Sequence, residues 1–203
     1  GIESSCDDTS ASVVNNNKEI LSNIVISQNS VHKPYKGVVP ELAARNHLYN
    51  IDNVIKLALK KAKLRLKDIN LVAATAGPGL VGGLLVGLMA GKMLAQTRNI
   101  PFVAINHLEA HALTVRLTSE ISFPYLLLLI SGGHSDFYII EDINNYHHIG
   151  GTIDDALGEA FDKVARLLGL DFPGGSNLEN LASKGDPNRY KLPLPLIDKD
   201  DVN

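Results

Sequence analysis

The chain opens with short runs of apolar residues, and a longer helical period follows them. Three strand-like runs separated by polar turns predict a β-meander: 1–5, 11–14 and 19–28. Pro40 then precedes apolar residues spaced near 3.6, which predicts a helix from Glu41 to about Leu66. The segment 31–39 between them predicts a loop.

Strands and helices alternate over the next stretch, as in parallel α/β units with right-handed crossovers. The pattern predicts these elements: a strand at 69–75, a helix at 81–96, a strand at 100–105 and a helix capped by Asn106. In the helix at 81–96, glycines recur every four residues at Gly83, Gly87 and Gly91. This bare face predicts close backbone packing, against either an internal neighbour or a partner subunit.

A second meander begins at Tyr125. The apolar run to Ile130 predicts a fully buried strand, and Ser131-Gly132-Gly133-His134 separates it from a second strand-like run at 135–140. Two strands around a Gly-Gly pair predict a hairpin with positive φ at its tip. Bare backbone N–H groups at such a tip suit a phosphate, although an ordinary hairpin is the other interpretation.

The second half begins to repeat the order of the first. A strand at 146–149, a helix at 156–168 and a short helix capped by Ser176 follow the hairpin. We therefore expect an N-terminal lobe at 1–120 that ends on the helix after Asn106, and a second lobe at 121–203. In this arrangement, the polar turn of each first hairpin faces a shared cleft, which suits a polyphosphate.

Composition excludes some classes of protein. A net charge of −3 argues against a broadly cationic nucleic-acid binder, although the lysine-rich end of the helix at 41–66 is either a solvated face or an RNA-facing patch. The single cysteine, Cys6, excludes an internal disulfide and favours a reducing compartment, and we expect a small buried residue rather than a nucleophile. No secretory signal or membrane-length apolar run is visible, so a cytoplasmic protein is expected. Both ends look cut, which suggests a fragment.

His107 and His111 are the strongest candidates for chemistry. Four residues apart on a helix, both imidazoles emerge on one face and can share a metal ion. Two histidines at this spacing also occur in the H-E-x-x-H motif of zinc peptidases. Position 108 is Leu, however, and Glu109 is rotated roughly 200° from His107. A peptidase would therefore lack its base.

Four carboxylates offer weaker signals. Asp7 and Asp8 in the first polar turn suit either a hydrated metal–phosphate group or ordinary turn capping. Asp162 is either solvated surface charge or a group facing the hairpin turn. Glu179 follows Ser176 at capping-box spacing, which is a structural explanation for it.

Taken together, the motifs resemble one family, the tRNA N6-adenosine threonylcarbamoyltransferases (TsaD, also called Gcp), of the actin-like ATPase superfamily. The matching stretches are GIESSCDDTS (1–10), GVVPELAARNH (37–47), TAGPGLVGGLLVG (75–87), NHLEAH (106–111), LISGGHSDF (129–137), DDALGEAFDKVARLLGL (154–170) and PGG (173–175). The resemblance implies an α/β protein with a bilobal actin-like ATPase (RNase H-like) fold whose second lobe is truncated here.

The resemblance also implies an activity. Family members transfer a threonylcarbamoyl group from threonylcarbamoyl-AMP to the exocyclic amine of the adenosine adjacent to the anticodon in tRNAs that read codons starting with A. In this sequence, His107 and His111 would ligate Fe²⁺, one per subunit, or Zn²⁺. The residues that would contact the nucleotide are Leu129, Ile130, Ser131, Gly132, Gly133, Asp162, Gly175 and Glu179. Asp7 and Asp8 are possible contacts for phosphate and Mg²⁺, with ATP or threonylcarbamoyl-AMP as the ligand.

The implied partners are tRNA, a TsaB-like paralogous subunit on the Gly-rich helix, and a TsaE-like ATPase, with no membrane. Asp8 stands where the family commonly has Glu, and Ser176 where it commonly has Pro. The family's third metal ligand, an aspartate near the C-terminus, is absent. We therefore expect these 203 residues alone to be inactive and to bind metal weakly. Two alternatives remain: a non-catalytic scaffold paralogue and a small-molecule kinase of the same superfamily.

Overall fold

The computed structural model describes residues 1–191, and the chain divides after Ile121 into two compact units. The first unit contains a five-stranded sheet with the order β3-β2-β1-β4-β5. Its strands are β1 (Ile2–Glu3), β2 (Asp8–Val14), β3 (Ile20–Ser27), β4 (Val72–Gly77) and β5 (Phe102–Asn106). β1, β2 and β3 pair antiparallel, whereas β4 pairs parallel with both β1 and β5. This mixed sheet, with helices between its strands, confirms the predicted α/β class.

Helices connect these strands. They are α1 (Asn29–His32), α2 (Pro40–Lys61), α3 (Val81–Arg98) and α4 (His107–Thr118), with 3₁₀ turns at Lys33–Tyr35 and Leu66–Asp68. α2 and α3 pack together and against the sheet, around a core built from Ile2, Val54, Val72 and Ala74. Because side chains alternate along a strand, Glu3 and Thr75 lie on the opposite sheet face from their neighbours Ile2 and Ala74.

The glycine face of α3 is buried inside the unit. A Cβ at Gly83 or Gly87 would overlap atoms of Ser4, the residue after β1, and one at Gly91 would lie 3.0 Å from the ring of Phe102. This is the internal packing that the sequence left open. A partner subunit would therefore have to contact a different face of α3, which exposes Val81, Leu85, Met89 and Met93.

Three expectations for the first unit were wrong. β2 begins at Asp8, because Asp8 pairs with Ser27, so the polar turn is shorter than predicted. α2 ends at Lys61 rather than near Leu66, and Lys63 adopts a left-handed φ of 57° just after it. The predicted loop at 31–39 includes the end of α1 and a 3₁₀ turn.

The second unit has a three-stranded antiparallel sheet with the order β6-β7-β8. Its elements are β6 (Tyr125–Ile130), β7 (Ser135–Asp142), β8 (Asn145–Gly151), α5 (Leu157–Leu167) and α6 (Gly174–Ala182). β6 is not fully buried as predicted: Leu129 is buried, whereas Leu126, Leu128 and Ile130 are at least half exposed. Their alternation follows the two-residue period of a strand with one covered face.

The hairpin and the last helix also depart from expectation. Neither Gly132 nor Gly133 has a positive φ, so the tip does not need the freedom of glycine. α6 begins at Gly174 after Pro173, so Ser176 lies inside the helix and forms no capping box. Within residues 1–191, no helix combines the length and apolar character required to cross a bilayer.

Candidate functional site

The histidine pair, His107 and His111, lies in the first two turns of α4. This helix begins directly after β5, and the side-chain oxygen of Asn106 accepts hydrogen bonds from the backbone N–H groups of Leu108 and Glu109. That cap fixes where the helix starts and therefore which face His107 and His111 share. The Nε2 atoms of the two rings are 3.2 Å apart, and the rings meet edge to face.

This spacing fits a shared metal ion. At metal–nitrogen distances of about 2.0–2.1 Å, two nitrogens 3.2 Å apart subtend about 100° at one ion, a common ligand angle. Imidazole nitrogen suits both iron and zinc. No group of three or more histidine, cysteine or acidic side chains that could hold a metal occurs within residues 1–191. The geometry of the pair would suit two ligands of one ion, and any further ligands would have to come from solvent, substrate or another part of the protein.

Glu3 lies behind His107, and the sequence analysis missed its role. Its Oε2 is 3.3 Å from Nδ1 of His107, the ring nitrogen that is not near His111. The same carboxylate accepts hydrogen bonds from the backbone N–H of Ser5 and the hydroxyl of Thr75. Burial by itself would raise the pKa of this carboxyl, but hydrogen bonds from these three residues outweigh it and lower the pKa to about 2.

In the sequence, the one sign of this role was the presence of a carboxylate, Glu3, in a short strand. Its contacts join β1 to β4 and α4, over separations of 72 and 104 residues, and no local pattern predicts them. The carboxylate and the histidine pair line a cavity of about 280 Å³, with Thr75, Ile105 and Thr114 among the other lining residues.

A buried histidine holds the turn between β1 and β2. The ring of His47 is fully buried, and its Nε2 donates a hydrogen bond to the carbonyl of Cys6 at 3.0 Å. Its Nδ1 accepts a hydrogen bond from the hydroxyl of Thr9 at 2.8 Å. α2 therefore anchors both sides of the turn.

The two carboxylates predicted for this turn, Asp7 and Asp8, lie in different kinds of local structure. Asp7 is in the bend and half-buried, whereas Asp8 is exposed in the first position of β2. Cys6 is exposed rather than buried as expected. Partial burial of its thiol, and then the negative charge of Asp7, raise the pKa of Cys6 to about 12, which disfavours the thiolate form.

In the second unit, the glycine hairpin at residues 131–134 is closed by its own first residue. The Oγ of Ser131 accepts hydrogen bonds from the backbone N–H groups of Gly133 and His134, at 3.2 and 3.0 Å. The prediction of bare N–H groups is therefore wrong for these two positions. Gly132 and Gly133 are exposed at the tip.

The start of α5 rests on this hairpin. The N–H of Gly158 donates to the carbonyl of Ser131 at 3.2 Å, and a Cβ at Gly158 would lie 2.7 Å from that oxygen. Asp162 follows one turn later on the same helix. Its Oδ1 accepts a hydrogen bond from the N–H of Gly174 at 2.9 Å, which ties the start of α6 to α5.

Gly175 and Glu179 lie one turn apart on α6. Gly175 has open space around its Cα, since the nearest atom to an added Cβ would be 3.9 Å away, and Glu179 is exposed. In the second unit, α5 therefore contacts the hairpin through Gly158 and the first turn of α6 through Asp162. Glu179 lies one turn further along α6. Leu129 contributes only backbone to this region because its side chain is buried.

Comparison with known proteins identifies the family. The model of the TsaD family, tRNA N6-adenosine threonylcarbamoyltransferase, matches residues 19–203. A curated protein of that name from Rickettsia bellii (strain OSU 85-389) is 57% identical over all 203 residues. This chain belongs to the TsaD family. Another curated member, from Rickettsia massiliae (strain Mtu5), is 55% identical over the same length, and the chain spans about 60% of the length of these relatives.

Solved structures resemble the TsaD-family chain more distantly. YeaZ from Pseudomonas aeruginosa has a TM-score of 0.44 and 14% identity, covering 73% of this chain and 62% of its own. An activator of 2-hydroxyisocaproyl-CoA dehydratase from Clostridium difficile, solved with bound ADPNP, has a TM-score of 0.49 and 17% identity, covering 92% and 56%. The family assignment rests on the sequence relatives alone.

Proposed function

We propose that this protein takes part in tRNA modification as a threonylcarbamoyltransferase. Its substrate would be threonylcarbamoyl-AMP, and the acceptor would be the exocyclic amine of the adenosine next to the anticodon in tRNAs that read codons starting with A. AMP leaves as the C–O bond of the mixed anhydride breaks and the new N–C bond forms, with loss of one amine proton. The protein would act in the cytoplasm.

The observation that carries this proposal is the histidine pair in the context of its family. Nε2 of His107 and Nε2 of His111 are 3.2 Å apart on a helix that its cap fixes in place. A scaffold paralogue would have no use for two imidazoles directed at one point, and a kinase would need a catalytic aspartate instead. The pair therefore favours the transferase over both alternatives.

His107 and His111 would hold one Fe²⁺ ion, with Zn²⁺ as the alternative. A bound divalent metal supplies Lewis acidity that polarises a carbonyl oxygen. The protein's own contribution is to keep both lone pairs directed at the same point and to provide the adjoining cavity for the reacting groups.

The second unit would bind the nucleotide. The backbone of Leu129 to Gly133 would contact the phosphate and carbamoyl part, using the N–H of Gly132, while Ser131 keeps the hairpin closed. Asp162 uses one carboxylate oxygen on Gly174, which leaves the other for a ribose hydroxyl. Gly175 leaves room for the nucleoside, and Glu179 is a further acceptor one turn away. Asp7 and Asp8 would contact Mg²⁺ and phosphate when ATP is the ligand.

The proposed partners are tRNA, a TsaB-like paralogous subunit and a TsaE-like ATPase. The glycine face of α3 is buried in its own unit, so the paralogous subunit would use the exposed apolar side chains of that helix. These are Val81, Leu85, Met89 and Met93, spaced four residues apart along one stripe.

The test is incorporation of labelled threonine into tRNA by the intact protein, with bicarbonate, ATP and the companion proteins. We expect labelled tRNA with the unchanged protein and at least a 100-fold lower rate with His111→Ala. His147→Ala is the matched control, because it removes an exposed imidazole from β8, and it should keep the full rate.

Two results would contradict the proposal in different ways. ATP consumption with a small-molecule acceptor and no tRNA labelling would indicate a kinase. Labelling that requires the protein but is unaffected by loss of both histidines would indicate a scaffold.

A further inference from the structure

Glu3 is partly buried and accepts hydrogen bonds from several residues, unlike a carboxylate on an exposed strand surface. It lies on the sheet face opposite the apolar core, next to α4, and its side chain is only 32% exposed. Three donors from three places in the sequence surround it: the backbone N–H of Ser5, the hydroxyl of Thr75 and the ring of His107. Ser5 and Thr75 therefore fix both carboxylate oxygens in place, and one of these oxygens also faces the imidazole of His107.

The contact selects one tautomer of His107. A carboxylate can only accept hydrogen bonds, so the ring nitrogen facing it, Nδ1, must carry the hydrogen. In a neutral imidazole the lone pair then lies on Nε2, the atom 3.2 Å from Nε2 of His111. Ser5 Oγ is also 3.3 Å from Nδ1, but a hydroxyl can donate or accept and so does not choose the tautomer.

Glu3 is not itself placed as a ligand. Its carboxylate contacts the nitrogen on the far side of the ring from His111, and Thr75 holds the same oxygen at 2.5 Å. Its position matches that of an outer carboxylate, which orients a ligating histidine and increases its basicity.

We propose that Glu3 is a positioning residue for His107, which fixes the ring with Nδ1 protonated and so keeps the Nε2 lone pair directed at the point shared with His111. This inference rests on the proposed metal role of the histidine pair. It adds a third residue to the proposed metal site, and this residue comes from β1 whereas the two histidines come from α4.

The sharpest variant is Glu3→Gln, which preserves size. The backbone N–H of Ser5 requires an acceptor, so the amide oxygen takes that side and the NH₂ group faces His107. An NH₂ group needs an acceptor, so the ring should move its hydrogen to Nε2 and lose the lone pair there. Glu109→Ala is the matched control, because it removes a carboxylate from the same helix at a position rotated about 200° from His107.

The first measurement uses the metal-free intact protein labelled with ¹⁵N-histidine. The ring nitrogens of His107 should show the Nδ1–H tautomer in the unchanged protein and in Glu109→Ala, and a shift toward Nε2–H in Glu3→Gln. The second measurement is a Co²⁺ titration with a competing chelator. Glu3→Gln should lower Co²⁺ affinity by about 10–100-fold, as loss of an outer partner does.

The outcomes separate the two proposals. If His107→Ala and His111→Ala leave Co²⁺ binding unchanged, the proposed metal role fails, and the tautomer measurement still decides the role of Glu3 because it is made without metal. If both histidines are needed for Co²⁺ but Glu3→Gln changes neither tautomer nor affinity, Glu3 is structural only. Thr75→Ala removes one hydrogen bond that holds Glu3 but leaves the carboxylate in place. It should therefore lower Co²⁺ affinity by less than Glu3→Gln does.

Discussion

The two units hold their candidate site residues in different ways. In the first unit, the β1–β2 turn and the histidine pair are tied to the rest of the unit by partly buried contacts over long sequence separations, including His47 to Cys6 and Glu3 to His107. In the second unit, the glycine hairpin is closed by Ser131 over two or three residues, and α5 rests on its carbonyl.

Burial follows the same division. The hydrophobic cluster built around Ile2, Val54 and Ala74 lies in the first unit. Between Ser122 and Lys191, the buried residues are few: Leu129, Ile140, Ala156, Ala165 and Gly174. The histidine pair proposed to bind metal therefore belongs to the unit with the packed core, which resists displacement, whereas the hairpin proposed to bind the nucleotide lies in a less buried unit and should move at smaller cost.

The largest expected effect is that of His47→Ala on the first unit. Removal of the fully buried ring leaves the carbonyl of Cys6 and the hydroxyl of Thr9 without their partner and opens a cavity. We expect a loss of about 3 kcal/mol in the opening free energy of β1 and β2. Native-state hydrogen exchange measures this by region.

Its control is His147→Ala, on the exposed surface of β8, which should change opening free energies by less than about 0.5 kcal/mol. A loss in the second unit as large as that in the first would contradict the division between them.

A matched pair of Gly→Ala changes compares the units directly. Gly83 and Gly158 both lie in the first turn of a helix that approaches a backbone carbonyl, of Ser4 and Ser131 respectively. Gly83→Ala should cost about 2 kcal/mol, because Ser4 is buried within the core and cannot move away. Gly158→Ala should cost less, about 1 kcal/mol, because its Cβ would also displace backbone of Ser131 and Gly132, but the hairpin tip is exposed and helix propensity favours Ala.

The same hydrogen-exchange experiment measures both variants. Gly158→Ala should nevertheless weaken nucleotide binding by the intact protein, because the hairpin shifts while the unit stays folded. Equal destabilisation by the two changes would show that the hairpin is held as rigidly as the core.

The smallest effect concerns the reactivity of Cys6 in the β1–β2 turn. Because its pKa is raised to about 12, the thiolate form at pH 8 is rare, and it increases only as pH rises toward that value. Alkylation by iodoacetamide at pH 8 should be about 50-fold slower than for a free thiol, after allowance for greater intrinsic nucleophilicity. Mass spectrometry gives the rate, and urea-unfolded protein is the control. Fast alkylation of the folded protein would mean that Asp7 and the turn are not held as described.

The sequence by itself determined the features that depend on neighbours within one or two turns. The four-residue spacing of His107 and His111, with Asn106 as the cap, was sufficient to predict two imidazoles on one helix face. The succession of strands and helices along the first unit followed from the spacing of its apolar residues, and Pro40 marked the start of α2. Each depends on the periods of helix and strand, which are local properties of the backbone.

Only the tertiary structure decided which distant groups meet. Glu3 in β1 reaches His107 in α4 across 104 residues, and His47 in α2 reaches Cys6 in the turn after β1 across 41. The sequence pattern likewise predicted neither the closure of the glycine hairpin by Ser131 nor the exposure of one face of β6. Side-chain partners across a fold depend on how whole elements pack, and a one-dimensional pattern specifies which face a residue occupies but not what lies opposite it.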